Sequence, residues 1–432
     1  MKKLFLILLS CCLLPALAQA NESAYWPNWR GPNKNGLVDQ GNPPVEWNES
    51  TNIRWKAKIP GMGHSTPIVW GDRIFVQTAV QTEKAGDPPD PEARRPAPAN
   101  IYHFKVLALD RKSGKVGWEK TVREEQPHEG THQTASFAST SGVTDGEHLY
   151  AFFGSWGLYC FDLDGNLKWE KDFGNQRVAG TFGEGSSPTL HGDKLILNWD
   201  HQGDSFIVVM DKKTGKEIWR KARQEVTTWV TPFVIEYKGQ TQVIISASKK
   251  TRSYDLKTGD VIWECSGLGS NVIPTPVYAD GIVYVTSGHR RPAMQAISLD
   301  KAKGDITGTD AIIWSIADDT PYVSSPLLYG DNIYFLKNRN AILSCYNAKT
   351  GEVQFTRQRL EGMRRAYASL VGINDRVYIS GLGGTTLVIK NSPTYEVLAT
   401  NALDEGIAAS PVVVDNELYL RGDEHLYCIS EE

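Results

Sequence analysis

Residues 211–219 read Asp-Lys-Lys-Thr-Gly-Lys-Glu-Ile-Trp, a tight turn followed by a short strand that ends in tryptophan. The same pattern occurs eight times along the chain, at intervals of 41 to 63 residues. Two degenerate copies end in Phe355 and Leu398 instead. The other six end in Trp55, Trp118, Trp169, Trp219, Trp263 and Trp314. A unit that repeats at this period indicates a radial or stacked repeat fold.

A second landmark alternates with the first: a Ser/Thr-Pro pair, a few residues, a Gly/Asp/Asn turn and an apolar strand. Thr66-Pro67 followed by Gly71-Asp72 is one of eight such copies, two of them weak. Turns of this type between apolar runs indicate hairpins. Together the two landmarks define four antiparallel strands, A to D, per unit, as in a propeller blade. We therefore predict an all-β fold, an eight-bladed β-propeller of four-stranded antiparallel blades.

The two ends of the chain indicate how the ring closes. The last unit stops after its C strand at residues 426–429, and residues 52–58 form a D strand that has no blade of its own. Pairing them removes an exposed sheet edge. We predict that this N-terminal strand completes the last blade, and that the propeller spans residues 52–432 after an extended segment at residues 21–51.

The tryptophans at the ends of the D strands are predicted to be structural. A tryptophan side chain buries about 150–250 Å² and so supplies much of the apolar contact between neighbouring blades. Blade 1 also carries a Pro-rich loop insertion at residues 81–100, with five prolines. Its length and composition predict either a semi-rigid arm that gates the site or holds a partner, or a disordered loop.

The N-terminus predicts export. Residues 1–20 combine Lys2-Lys3, an apolar run and Ala18-Gln19-Ala20, the pattern of a Sec signal peptide. The mature protein is then expected in the periplasm or outside the cell. Processing as a lipoprotein at Cys11 is the alternative. No later apolar run is long enough for a spanning helix, so we predict no transmembrane segment.

Charge and cysteine content exclude several classes. The net charge is −4, which argues against nucleic acid as a partner. Four cysteines follow the predicted signal peptide, and no pair has metal-ligand spacing, so a metal site is not expected. They are read as small buried hydrophobic residues at Cys160, Cys265, Cys345 and Cys428. We expect a monomer.

The repeat in residues 209–219 resembles the docking motif of the PQQ-like, or quinoprotein alcohol dehydrogenase-like, β-propellers. The opening Trp26-Pro27-Asn28-Trp29-Arg30-Gly31-Pro32 is similar to that of secreted bacterial PQQ-like repeat proteins. One branch of the family contains PQQ-dependent dehydrogenases with calcium and a vicinal disulfide; another contains the non-catalytic outer-membrane assembly lipoprotein BamB. No adjacent cysteines follow residue 20. The nearest candidates for a calcium cluster are Glu184, Asn198 and Asp200.

The order of strands sorts the connections onto two faces. D–A and B–C connections share one face, which we call the mouth face, and the A–B and C–D turns share the other. The mouth face is predicted to collect most of the unusual His, Arg and Trp residues around a central channel. These are His64, His132, His201, Trp229, His289, Arg290, Arg291, Arg339, Arg364 and Arg365. Alternatively, these side chains are solvated and unrelated to one another.

Three functions remain open from the sequence. The first is a non-catalytic scaffold of the cell envelope that binds an anionic small molecule, an acidic glycan or an envelope protein. The second, implied by the resemblance, is a PQQ-dependent oxidoreductase with calcium, in which Arg290, Arg339 and Arg365 hold the carboxylates of the quinone. The third is a polysaccharide lyase or hydrolase that uses His132, Arg365 and Tyr367. Catalytic residues are not assigned.

Overall fold

The computed structural model describes residues 24–431. The predicted signal peptide and the alternative processing site at Cys11 lie outside the described residues. Within them, regular structure is almost entirely β, with two single-turn 3₁₀ helices at Gly154–Trp156 and Ala179–Thr181. No helix in residues 24–431 has the length and apolar character needed to cross a membrane.

The strands form eight antiparallel sheets, which are the blades, and consecutive strands are hydrogen-bonded neighbours. Strand β1 (Ile53–Lys58) precedes blade 1 in the chain. Blade 1 contains β2 (Ile68–Trp70), β3 (Arg73–Ala85), β4 (Asn100–Asp110) and β5 (Val116–Glu125). Blade 2 contains β6 (Val143–Thr144), β7 (His148–Phe152), β8 (Leu158–Asp162) and β9 (Leu167–Lys171). Blade 3 contains β10 (Thr189–His191), β11 (Lys194–Trp199), β12 (Phe206–Asp211) and β13 (Glu217–Ala222). Blade 4 contains β14 (Phe233–Tyr237), β15 (Gln240–Ile245), β16 (Thr251–Asp255) and β17 (Val261–Cys265).

The second half of the ring repeats this arrangement. Blade 5 contains β18 (Val277–Ala279), β19 (Ile282–Ser287), β20 (Ala293–Ser298) and β22 (Ile312–Ile316). Its long C–D connection returns to blade 4, where β21 (Gly304–Asp305) pairs in parallel with β17 as a fifth strand. Blade 6 contains β23 (Leu327–Tyr329), β24 (Asn332–Leu336), β25 (Ile342–Asn347) and β26 (Val353–Arg359). Blade 7 contains β27 (Val371–Ile373), β28 (Arg376–Ser380), β29 (Thr385–Lys390) and β30 (Val397–Ala402).

Blade 8 joins the two ends of the chain. It contains β31 (Val412–Val414), β32 (Glu417–Arg421) and β33 (His425–Ile429), and β1 is its D strand. The pairing of β1 with β33 is antiparallel and runs from Ile53 opposite Ile429 to Lys58 opposite His425. The predicted eight-bladed propeller, closed by an N-terminal strand, is confirmed.

Tryptophans on the D strands contact the next blade in a repeated way. Each of five indole Nε1 groups donates a hydrogen bond to a backbone carbonyl in the C–D turn of the following blade, at 2.8–3.1 Å. A glycine of that turn packs flat on the indole ring; a Cβ on Gly215 would lie 2.7 Å from Trp169. The five tryptophans are Trp55, Trp118, Trp169, Trp219 and Trp314. Trp263 departs from this pattern and donates instead to Gln242 of its own blade, at 3.2 Å.

The Pro-rich insertion differs in detail from what the sequence suggests, whereas the cysteines are buried as predicted. β3 continues to Ala85 and β4 begins at Asn100, so the irregular part of the Pro-rich insertion is 86–99. This hairpin extension has polar residues on both faces, which hides the strand alternation from sequence reading. All four cysteines of the described chain are buried and unpaired, and burial raises the pKa of each thiol to about 12.

Candidate functional site

The hydroxyl of each Ser/Thr-Pro pair lies where the A strands meet near the axis. At six of the eight blade junctions, the backbone N–H of this residue donates to the equivalent hydroxyl of the next blade, at 2.9–3.1 Å. This hydroxyl ring comprises Thr66, Ser141, Ser187, Thr231, Thr275, Ser325, Ser369 and Ser410. Within residues 24–431 no such bond is formed at the junctions of blades 4–5 and 8–1.

A cavity of about 520 Å³ lies on the axis above this ring. This volume is in the range of small-molecule sites. In every blade, the residue two positions before the ring hydroxyl lines the cavity. These eight residues are His64, Ser139, Gly185, Trp229, Ile273, Val323, Tyr367 and Ala408. Further lining residues come from D–A and B–C connections, so the cavity opens on the mouth face.

Aromatic side chains form part of the cavity wall, beside the hydroxyls of Ser and Thr residues. Trp29, Phe182, Trp229, Tyr322 and Tyr367 all line it. Trp229 is oriented by a hydrogen bond from its Nε1 to the carbonyl of Gly183, at 2.6 Å. Large rings with few polar atoms are suited to hold a flat or ring-containing body. The polar groups that can fix a ligand are the imidazole, guanidinium and carboxyl side chains of the wall and its Ser and Thr hydroxyls.

The N-terminal segment closes the cavity at the opposite end. Trp26 exchanges backbone hydrogen bonds of 2.9 Å with Val69 of blade 1. Lys34 donates to the carbonyl of Leu190 in blade 3, at 2.7 Å, and Leu37 forms a β-bridge with Gly372 of blade 7. Blades 3 and 7 are opposite in a ring of eight, so the segment crosses the axis, and Trp29 belongs to the cavity wall.

Three imidazoles line the cavity, and all three have lowered pKa values. Burial, and then the positive charge of Arg421, lowers the pKa of His64 to about 4. Burial and neighbouring arginines also lower the pKa of His132 and of His289. These histidines are therefore neutral at pH 7, and the positive charge predicted for this face is carried by arginines.

Arginines surround the mouth of the cavity without acidic partners. Arg339 lines the cavity and acts on both His132 and His289; Arg365 acts on His132, and Arg290 on His289. Within residues 24–431 none of these three arginines forms an ion pair. On the opposite face, by contrast, Arg111 pairs with Asp415 at 2.7 Å and Lys212 with Asp145 at 2.7 Å. The cavity mouth thus carries three arginines whose charge no acidic side chain of the described residues pairs.

The remaining part of the insertion at 86–99 reaches the same mouth. The guanidinium groups of Arg94 and Arg95 lie over the ring of Phe182, at 5.9 and 5.0 Å from its centroid. Arg95 also donates to the carbonyl of Gly180 and contributes to the lowered pKa of His132. Blade 1 therefore adds two further cations beside an aromatic residue of the cavity wall.

One carboxyl group lines the cavity. Burial raises the pKa of Glu184 to about 8, against hydrogen bonds from Ser155. The hydroxyl of Ser155 donates to Oε1 at 2.6 Å and its backbone N–H donates to Oε2 at 2.7 Å. Gly154, at φ +63°, permits this approach, since a Cβ there would overlap the carboxylate. Burial thus favours the neutral, protonated form of Glu184 over the carboxylate.

The ten predicted mouth-face residues do not all line the cavity. His64, His132, Trp229, His289 and Arg339 line the cavity. Arg290, Arg291, Arg364 and Arg365 are exposed outside the lining. His201 is buried, and its Nδ1 accepts a hydrogen bond from the backbone N–H of Arg177 at 3.1 Å. His201 therefore does not reach the cavity.

Counting residues back from each Ser/Thr-Pro pair in the sequence would have predicted more of the residues that line the cavity. Tyr322 and Val323 precede the Ser/Thr-Pro pair of blade 6 as His64 precedes that of blade 1. Glu184, considered above for calcium, lies three positions before the hydroxyl of blade 3, as Tyr322 does in blade 6. Trp29 carries no such signal, because its place in the cavity depends on the path of the N-terminal segment across the axis.

Comparison with known proteins assigns the family. The sequence profile of the family described as "Outer membrane protein assembly factor BamB" matches residues 103–357 and 265–432, more than half of the chain. The chain belongs to this family. Over 100 residues it is 31% identical to the outer membrane protein assembly factor BamB of Francisella salina. That alignment covers 23% of this chain and 18% of the relative, so it spans well under two thirds of the relative's length.

Two solved structures share the fold. BamB from Moraxella catarrhalis superposes with a TM-score of 0.56 at 15% identity, over 82% of this chain and 99% of that chain. The quinohemoprotein alcohol dehydrogenase from Comamonas testosteroni superposes with a TM-score of 0.66 at 10% identity, over 96% of this chain and 82% of that chain. At these identities the likeness shows the propeller architecture alone.

The residues considered for calcium beside a quinone do not form such a site. Both carboxylate oxygens of Asp200 accept hydrogen bonds from Arg223, at 2.8 and 3.0 Å, and the pair is fully buried. Asn198 donates to Thr228 and to the carbonyl of Val230. Within residues 24–431, no cluster of three His, Cys, Asp or Glu side chains is placed to hold a metal ion. The donor set does not fit the calcium–quinone arrangement.

Proposed function

We propose that this chain is a non-catalytic binding protein of the cell envelope that holds an anionic ligand in its axial cavity. One observation carries the proposal: within residues 24–431 Arg290, Arg339 and Arg365, which act on the cavity histidines, form no ion pair, whereas Arg111 and Lys212 on the opposite face do. A cavity with apolar walls strengthens the attraction between these charges and an anion.

An envelope location is supported by the description of the matched family and by the predicted signal peptide at residues 1–20. The description also favours a protein partner, and an acidic segment of such a partner is one form that the ligand can take. An acidic glycan or a small polycarboxylate meets the same requirements of charge and size.

Isothermal titration calorimetry with citrate, trigalacturonate and a hexaglutamate peptide tests the proposal. We expect at least one probe to bind, and the double variant Arg339→Glu/Arg365→Glu to weaken that binding at least tenfold. The affinity should fall as the ionic strength rises, because exposed charges are screened. The matched control is Lys213→Glu/Lys257→Glu, which reverses two exposed charges on the opposite face.

A control variant that weakens binding as much as the mouth variant would show that only net charge matters, and the proposal would be wrong. Absence of binding by all three probes would also overturn it. Titration with PQQ and calcium, followed by an assay for alcohol oxidation, tests the non-catalytic part. Turnover that depends on the quinone would replace a binding protein with an oxidoreductase.

A further inference from the structure

Arg421 is a buried cation whose charge no acidic side chain of the described residues balances. It lies at the end of β32 in blade 8 and is only 3% exposed. Its Nη1 donates to the carbonyl oxygen of Ser65, at 3.1 Å, and to the hydroxyl of the same residue. Neither oxygen carries a negative charge. Burial lowers the pKa of Arg421 to about 9.

A buried cation without a counter-charge lowers the stability of the folded chain. A buried charge is ordinarily paired, and removing one partner of a buried pair is strongly destabilising because it leaves the other charge uncompensated. In the absence of a ligand, the junction of blades 8 and 1 carries this cost. The hydroxyl ring is also interrupted at this junction. In the described chain, Arg421 takes the place of the usual contact by bonding to Ser65, the neighbour of Thr66.

His64 connects this cation to the cavity. Its side chain lines the cavity, and the charge of Arg421 acts directly on the imidazole. Gly63 permits the close approach, since a Cβ there would lie 2.4 Å from Nη2 of Arg421. The backbone N–H of His64 is held by the carbonyl of Ala138 in blade 2, at 3.1 Å. Contacts with blades 2 and 8 therefore hold the backbone at Gly63 and His64.

The ring nitrogens of His64 are available to a ligand. Neither forms a hydrogen bond to another side chain or to the backbone within residues 24–431, although the side chain is mostly buried. His132, in contrast, accepts at Nδ1 from Thr134, at distances of 2.8 Å from the hydroxyl and 3.2 Å from the backbone nitrogen. A neutral imidazole carries one N–H donor, and no described group accepts it from His64, a residue of the cavity wall.

We infer that His64 and Arg421 form an oxyanion subsite at the junction of blades 8 and 1, in which the ligand provides the missing counter-charge. The imidazole N–H donates to a carboxylate or phosphate oxygen of the ligand, and the guanidinium behind it stabilises the anion. This inference rests on the proposed function, because it assigns one anionic group of the ligand to the inner wall, away from the arginines of the mouth.

Calorimetry with citrate and with inorganic phosphate tests the subsite in the full chain. We expect Arg421→Met and His64→Gln each to weaken binding at least tenfold, and Arg421→Lys to retain most of the affinity. The two losses should not add in the double variant, because both residues act on the same oxyanion. Binding of citrate but not of phosphate would indicate a carboxylate ligand, and the reverse a phosphate ligand.

Thermal unfolding separates this role from a purely structural one. If Arg421 serves the ligand, Arg421→Met should unfold at the same temperature as the wild type or higher, since a buried unpaired charge is removed. A lower unfolding temperature with unchanged affinity would overturn the inference. Should Arg421→Met bind normally while Arg339→Glu/Arg365→Glu does not, the inner subsite is wrong and the anion-binding function stands. Wild type that binds neither citrate nor phosphate would overturn the subsite, and the anion-binding function is wrong as well only if trigalacturonate and the hexaglutamate peptide also fail to bind.

Discussion

Two junctions each bury an arginine: the junction of blades 3 and 4, and the junction of blades 8 and 1. Only the first of them supplies an acidic side chain that pairs with the arginine. Arg223 donates to both oxygens of Asp200 and, at 2.6 Å, to the hydroxyl of Tyr254 in blade 4. Arg421 donates only to uncharged oxygens of Ser65 in blade 1. Both junctions have the same outer contact, a tryptophan on a glycine turn.

The difference indicates which junction is optimised for stability. At blades 3 and 4 the inner ring is closed by the bond from Ser187 to Thr231, at 3.1 Å, and the buried arginine is paired with Asp200. At blades 8 and 1 the ring is open, and the cation lies beside a residue of the cavity wall. The ring bond is formed at six junctions, so the fold holds its shape there while one of the two irregular junctions carries a costly group.

Breaking the paired junction should have the largest effect. Asp200→Asn leaves Arg223 buried without a counter-charge, and we expect a loss of about 3–5 kcal/mol in the free energy of unfolding. Denaturant unfolding at pH 7 measures it. The combined variant Asp200→Leu/Arg223→Met should recover much of this loss; if it does not, packing rather than charge holds this junction together.

The glycine turns should matter equally at both junctions. Gly259→Ala places a Cβ 2.8 Å from the Trp219 ring, and Gly114→Ala places one 2.6 Å from Trp55. We expect each to cost about 1–3 kcal/mol, from steric overlap and from a positive φ. Gly239→Ala is the control, because its φ of +79° is similar and its Cβ meets nothing within 4 Å. Equal losses in all three variants would assign the whole effect to backbone strain.

At the junction of blades 8 and 1, His64 should make the stability of the folded chain depend on pH. The pKa of His64 is about 4 in the folded chain, below the value of about 6.5 in an unfolded one. The unfolded state therefore binds more protons below pH 6.5, and stability falls as the pH drops from about 6.5 to 4. His64→Gln should reduce this fall by about 1–2 kcal/mol at pH 5. Parallel curves of stability against pH for variant and wild type would contradict it.

The smallest expected effect is the most discriminating. Arg421→Met should change the free energy of unfolding by less than about 1 kcal/mol, or increase it, because burying a hydrophobic side chain in place of an unpaired charge is often neutral or stabilising. Denaturant unfolding at pH 7 compares it directly with Asp200→Asn. A loss as large as that of Asp200→Asn would mean that the two junctions do not differ in the way described.

Much of the fold could be predicted from the sequence because each blade is specified locally. The Thr-Gly turn before Trp219 and the Ser/Thr-Pro pair at Thr231 are separated by few residues, and each defines a strand boundary through backbone and turn chemistry. Pairing of β1 with β33 was also predictable, since an unpaired edge at each end of the chain has one obvious partner. The two sequence landmarks recur eight times, so a single degenerate copy does not obscure the repeat.

The tertiary structure alone decided the site. Residues such as Trp29, Glu184 and Tyr322 meet only because eight blades converge on one axis and the N-terminal segment crosses it. Nothing in the sequence distinguishes Arg223 from Arg421. Only their burial and the positions of their neighbours in the folded chain show that the first cation is paired and the second is not. Hydrogen bonds and charges act over a few ångströms between residues far apart in the chain, and no local pattern records which of them become neighbours.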